Sequence, residues 1–536
     1  MLLNSLNFIF AFLPVVLILF YVVPGKWKNV VLALSSIFFY AWGEPVYVVL
    51  MLFSAVLHYM MGIDIGRKRK RNQSAVPSLV FVVVIDVFIL GFFKYYGFLS
   101  GAVNEWLGTG FSTSALSLPI GLSFYSFKNL SYIIDVYKKK CEPERDPIAF
   151  LAYASLFACM SAGPIVRYAD IREDLYTHNV YMSRLGEGAR RFILGLAKKV
   201  LLADQLSMMI SQIQDAGTPM SMMTAWIYLF AYTMQIFFDF SGYSDMAIGV
   251  GKMLGFDFQE NFDYPYIAKS VTEFWRRWHM SLSSWFRDYV YIPLGGNRVS
   301  VPGHLRNILI VWCLTGIWHG GTFNFPLWGL YYGVILIFEK YVWKNLLSRL
   351  PGWAANLYTM LLVMFGWLIF MNSSLDAVGK ILGALLGFGA SSFIDLTAGY
   401  YLKTGFLLFA VCILSARPVL KKFSERFVES SAITTVVVYL ILFLLSIGGL
   451  VFNSYQPFLL HAVLREVSDM KKPAFPTAYF VGFMFCHFGS YSFPCQSLFR
   501  DEEDFGDGEQ RAGAEAGADS RSRGEWKLCT AISGIL

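Results

Sequence analysis

Charge is scarce in this sequence. Only 15% of its 536 residues are Asp, Glu, Lys or Arg, where water-soluble chains carry about 25%. Hydrophobic residues make up 56%, and the mean hydropathy is +0.51. A soluble globule cannot bury that much apolar surface, so a soluble multidomain enzyme and a disordered chain are both excluded. Cysteine is also sparse. The seven cysteines include no CxxC pair, which argues against a zinc framework and a disulfide-stapled secreted domain. Cys159, Cys313 and Cys412 lie in apolar runs and read as small core hydrophobes. There is no HExxH, no P-loop and no Gly-x-Ser-x-Gly elbow. Gly249-Val250-Gly251 lacks the third glycine and the preceding strand of a dinucleotide fingerprint. Metal and nucleotide sites are therefore disfavoured. The net charge of +7 reads as a topology signal rather than a nucleic-acid footprint.

What the chain has in quantity is apolar length. A membrane span needs about 20 apolar residues, and candidates recur near 5–24, 29–42, 45–62, 77–98, 115–135, 147–162, 191–212, 219–238, 305–319, 325–343, 354–371, 403–420 and 432–452. Backbone groups in lipid must be satisfied internally, and no alternating strands suggest a barrel. The expected fold class is an all-α polytopic membrane protein with roughly ten to twelve spans. The N-terminus has no basic start and no small-residue cleavage site, so it reads as a retained first span. Lys26 and Lys28, the run Arg67 to Arg71, and Lys138 to Lys140 follow the first, third and fifth candidates. Their common side is expected to be cytoplasmic, with the N-terminus outside.

Two stretches depart from this pattern. From Asp239 to Arg298 the chain is too charged to span lipid and too aromatic for a loose loop. Such a segment is expected to re-enter the membrane or pack on its face. Beyond Phe458 the sequence turns polar and Gly/Ala-rich, an expected partly disordered tail. Met470-Lys471-Lys472 resembles a fresh start. A frameshift or read-through is the expectation there, and resequencing the coding DNA tests it.

Ionisable side chains in embedded segments are functional suspects, and histidine occurs only seven times. His319 ends an apolar run, Leu314-Thr315-Gly316-Ile317-Trp318-His319, and Gly320-Gly321 follow it. The glycines remove bulk beside an imidazole that titrates near neutral pH, which suits a general base for a hydroxyl. A core histidine bonded to a carbonyl is the plainer alternative. His279 lies in Phe274-Trp275-Arg276-Arg277-Trp278-His279-Met280-Ser281. Helical spacing places Trp275, Trp278, Leu282, Trp285, Phe286 and Tyr289 on one face and His279 at its border. An interfacial aromatic helix with anchoring arginines explains that pattern as readily as a wet cavity does. Asp239 and Asp245 are six apart and do not face each other on a helix. They are expected to orient a histidine or to pair with Arg276 or Arg277.

The segments FDFSGYSDMAIGVGKMLGF, NFDYPY, FWRRWHMSLSSWFRDYVYIPLGGNR and LTGIWHGGTFNFPLWGLYYG resemble membrane-bound O-acyltransferases. The stretch Tyr291-Ile292-Pro293-Leu294-Gly295-Gly296-Asn297-Arg298 is most similar to the alginate O-acetyltransferase branch. LPIGLSFYSFKNLSYIIDVY and AGPIVRY also match, so the resemblance covers roughly residues 1–457, with 458–536 as the atypical tail. It implies a ring of helices around a central tunnel, His319 as the catalytic histidine and His279 as a second functional one. It further implies acyl transfer to a hydroxyl, often on an extracellular polysaccharide, with help from an extracytoplasmic partner that relays the acyl group. No bound cofactor is expected; the donor is acetyl-CoA or another acyl thioester arriving from the cytoplasm. Arg276, Asn297, Asp239, Asp245 and Trp318 are weaker candidates for the surrounding polar shell or tunnel wall. D-alanyl transfer to a cell-wall polymer remains an alternative, and a polysaccharide transporter or scaffold is the rival of another class. Two departures stand out: Lys128 occupies a position where glutamine is common, and Ser454-Tyr455-Gln456-Pro457-Phe458 leads into the tail instead of the usual close.

Overall fold

The computed structural model describes residues 1–110, 118–178, 180–216 and 219–452. The unusual tail lies outside the described residues. Among the described residues every regular element is helical. Four of the described helices are long and apolar enough to cross a membrane: Val48–Lys70, Val76–Leu107, Gly352–Met371 and Ala432–Phe452. The pair Leu396–Thr404 and Phe406–Ser415, bent by 59°, would make a fifth. The expected spans at 191–212, 219–238, 305–319 and 325–343 are helical but fall outside that set.

The reason is visible at the centre of the fold. The helix Met222–Met253 is buried along almost its whole length and runs on through Asp239 and Asp245. The hydropathy pattern predicts a span that ends before Asp239, and the continuous helix corrects it. Its carboxylates do not meet lipid, because the neighbouring helix supplies their counter-charges. Asp239 pairs with Lys199 at 2.8 Å, and Lys199 also holds Asp204 at 2.7 Å. Asp245 takes Arg191 and Lys198, both at 2.6 Å. Lys199 sits in a widened turn, Lys198–Ala203, that joins Met182–Ala197 to Asp204–Asp215.

Glycine lets these two helices approach closely. A Cβ on Gly242 would stand 2.7 Å from the Gly195 carbonyl oxygen, and one on Gly249 would stand 2.6 Å from that of Gly188. Small residues at the crossing bring the backbones together, and the ion pairs form across that seam.

The segment read as one aromatic helix also differs. It is two short helices, Val271–Arg277 and Met280–Phe286, broken at His279, whose φ of +44° lies in the left-handed region. The break divides the aromatic face. Trp275 and Trp278 pack with one hydrophobic cluster, while Leu282, Trp285, Phe286 and Tyr289 belong to another. Lys128 does not reach toward solvent. It is buried, and its ammonium donates to the Tyr153 carbonyl at 2.7 Å.

Candidate active site

Three elements position His319. Val301–His319 ends on His319, because Gly320 is fully extended and no backbone cap continues the helix. The exposed last carbonyls are taken up by Val76–Leu107 instead. The Lys94 ammonium donates to the Trp318 carbonyl and lies over the Trp318 ring, and the Tyr95 hydroxyl donates to the carbonyls of Ile317 and Gly320. Asn324–Tyr341 crosses directly beside this end. A Cβ on Gly316 would come within 3.1 Å of Pro326 Cα and would strike the Phe325 carbonyl. Gly316→Val should therefore force the helices apart, at about 1–3 kcal/mol for overpacking. A displacement of about 1 Å at His319 should lower turnover roughly 10²-fold. Thermal unfolding and acyl-transfer assays on the purified variant measure the two effects separately.

The second histidine is set by local caps. Ser270 accepts from the Glu273 amide at 3.0 Å, which starts the Val271–Arg277 helix. Glu339, buried on the Asn324–Tyr341 helix, accepts from the Val271 and Thr272 amides at 2.6 and 2.8 Å. That carboxylate at a helix N-terminus anchors the short helix on its neighbour. Glu339→Ala should cost about 0.5–2 kcal/mol, the range for a lost cap, read as a lower melting temperature of the purified protein.

His319 and His279 line the same cavity, of about 340 Å³. Aromatic rings form much of its wall. The His319 ring meets Trp328 and Phe370 nearly edge-on at 5.0 and 5.1 Å, and Trp318 at 4.7 Å. The His319 ring makes no hydrogen bond with another of the described residues. His279 is buried, edge-on to Phe240 at 4.7 Å. Its Nδ1 lies 3.0 Å from Asn261 Oδ1, while Nε2 is buried without a partner among the described residues. The Trp275 and Trp328 indole N–H groups are buried and unpartnered in the same sense, and both residues line the cavity.

Of the weaker candidates, Asp239 and Arg276 line this cavity, and Arg276 is exposed. Trp318 backs His319 but is not in the lining. Asp245 points its charge to Arg191 and Lys198, away from both histidines' cavity. Asn297 is a correction. It is exposed and absent from the lining, because Gly295 and Gly296, with φ of +99° and +58°, turn the chain outward there. The buried amide in that region is Asn307, which holds the Leu294 and Gly296 carbonyls at 3.1 and 3.0 Å.

Sequence reading missed Asn261, Lys94, Tyr95 and Glu339. Asn261 stands in NFDYPY and could have been suspected as an amide at the head of an aromatic motif. The other three carry no local signal. Among the described residues no group of three His, Cys, Asp or Glu side chains could hold a metal ion.

Residues 144–375 match the model of the membrane-bound O-acyltransferase family. A probable alginate O-acetylase AlgI of Pseudomonas aeruginosa is 39% identical over 422 residues, covering 77% of this chain and 81% of that protein. A peptidoglycan O-acetyltransferase of Helicobacter pylori is 32% identical over 432 residues, covering 74% and 82%. A teichoic acid D-alanyltransferase of Bacillus subtilis is 32% identical over 273 residues, covering 47% and 68%.

Proposed function

The chain belongs to the membrane-bound O-acyltransferase family and is a membrane O-acyltransferase; on that premise we propose that it moves an acetyl group from a cytoplasmic thioester to hydroxyls of an extracellular polysaccharide, directly or through a relay partner. The observation that carries this reading is the shared cavity of His319 and His279. A neutral imidazole with no hydrogen bond to the surrounding described side chains keeps its lone pair for substrate. His319 takes the proton of the acceptor hydroxyl as that oxygen attacks the thioester carbonyl. The C–O bond forms, the C–S bond breaks, and the proton passes to the departing sulfur. Aromatic walls exclude water, which protects the thioester from hydrolysis and strengthens each polar contact.

The finer architecture is part of the same proposal. Ten to twelve helices would ring a tunnel joining the two membrane faces, in the cell's plasma membrane with the N-terminus outside. The basic run in the last turn of Val48–Lys70 and the lysines after Leu122–Tyr137 support that orientation. Thioesters are made in the cytoplasm and the polymer lies outside, so the two substrates must meet within the bilayer. The acetyl rather than D-alanyl choice rests on greater identity to the alginate O-acetylases.

The test compares ester content of the exopolysaccharide and cell wall in cells with and without the gene. Loss of O-acetyl groups that returns on complementation is the expected result. Loss of D-alanyl esters instead would transfer the reading to that donor, and unchanged esters on every polymer would overturn it.

A further inference from the structure

We infer that Asn261 is a positioning residue that locks His279 with its proton on Nδ1, so that this histidine offers the cavity a proton-accepting Nε2 rather than an N–H donor. The inference deepens the acyl-transfer reading and rests on it.

The side-chain amide of Asn261 is fully buried. An Asn side chain has an oxygen and a nitrogen that are easily interchanged, so its orientation must come from neighbours. Here a main-chain group decides it. The Ser281 amide, which can only donate, meets Oδ1 at 3.3 Å, and the Ser281 hydroxyl donates to the same atom at 2.9 Å. The other end, Nδ2, donates to Ser244 Oγ at 3.0 Å. The atom facing His279 Nδ1 is therefore an acceptor. Nδ1, 3.0 Å away, must carry the hydrogen, and in neutral imidazole that leaves the lone pair on Nε2.

The backbone enforces the same arrangement. The Met280 amide donates to the Asn261 carbonyl at 2.9 Å, and the Asp263 amide donates to the Arg277 carbonyl at 3.0 Å. These two bonds tie the 261–263 strand of chain to both sides of the break at His279. They hold the left-handed φ that turns the ring into the cavity. A non-glycine residue in that region is uncommon and costs energy, and the surrounding bonds supply the compensation.

The consequence separates the roles on the cavity wall. Neutral His279 cannot donate from Nε2 to a developing oxyanion. It accepts a hydrogen bond from a substrate hydroxyl, thiol or amide N–H, and it becomes a donor only after taking a proton. Oxyanion donors must come from elsewhere, and the unpartnered Trp275 and Trp328 indole N–H groups are on the same wall.

Asn261→Asp tests this. The charged and titratable groups around His279 are Asp239, paired with Lys199, on the Met222–Met253 helix; Arg276 on its own approach; Arg287 and Tyr291 beyond it; and His319 opposite. None changes in the variant. A carboxylate at Nδ1 keeps the same proton position but favours imidazolium. The ring then stays protonated to higher pH, so the acid limb of the kcat/KM profile should move up by about one unit or more. The plateau kcat at alkaline pH should stay within about tenfold of the parent, while Asn261→Leu should lose about 10²-fold in kcat with little change in KM. A merely structural role would lower activity equally at every pH, and an unshifted Asn261→Asp profile overturns the inference. If that variant does not fold, 15N shifts of labelled histidine in the parent protein decide. The His279 signal, assigned by its loss in His279→Gln, supports the inference as an Nδ1–H imidazole and overturns it as Nε2–H. Either failure leaves acyl transfer standing, since that reading falls only if the polymer esters do not depend on the protein.

Discussion

Replacing His319 with alanine should reduce acyl transfer by at least about 10²–10⁴-fold, the contribution of a positioned general base. The loss should appear in kcat rather than KM, because the proton moves only as the acceptor oxygen attacks. The fold should survive. His319 is half-buried at the end of its helix, and no other described residue depends on it for a hydrogen bond. The carbonyls before it are held by Lys94 and Tyr95, which remain. Truncation removes ring contacts with Trp328 and Phe370, but it enlarges a cavity that already exists. Size-exclusion behaviour and melting temperature of the purified variant check that point beside turnover. The experiment also separates the rival class: flux through a transporter would persist without the imidazole, and a scaffold would leave polymer acetylation intact. Full activity in a well-folded His319→Ala protein would remove the base assignment.

Much of this site was legible in the sequence, and the illegible part has a common cause. Trp318-His319-Gly320-Gly321 advertises an imidazole relieved of bulk, and His279 stands in a run of aromatic residues and arginines; both line one cavity. Asp239 and Arg276 are there too. Yet the helical spacing around His279 pointed to one continuous helix, since neither glycine nor proline marks the break. What bends the chain is the 261–263 segment, whose bonds cross 14 to 20 residues. Lys94 lies 224 residues from its carbonyl partner. Asn297 shows the opposite error. A motif resemblance gave it a place in the polar shell, whereas the paired glycines before it swing it into the open. Hydropathy misled in the same physical way at Asp239. It scores a carboxylate as an obstacle to burial, but the cost depends on whether a counter-ion is waiting.

Lys199→Ala should destabilise the protein by about 3–5 kcal/mol, because it removes the cation between two buried carboxylates. Lys199, Asp204 and Asp239 are each almost wholly inaccessible. With the ammonium gone, Asp204 and Asp239 are left as like charges beside each other in a low-dielectric interior. Asp239 also borders the cavity, so reduced activity alone would not distinguish a chemical role from a structural one. A triple replacement does. Lys199→Met with Asp204→Leu and Asp239→Leu removes all three charges while keeping comparable volume, and such exchanges are often neutral or stabilising. If the network serves stability, the triple variant should melt near the parent temperature and recover most of the turnover lost in Lys199→Ala. If it melts normally but stays inactive, the Asp239 carboxylate acts on the substrate, and the cavity wall holds a third participant beside the two histidines.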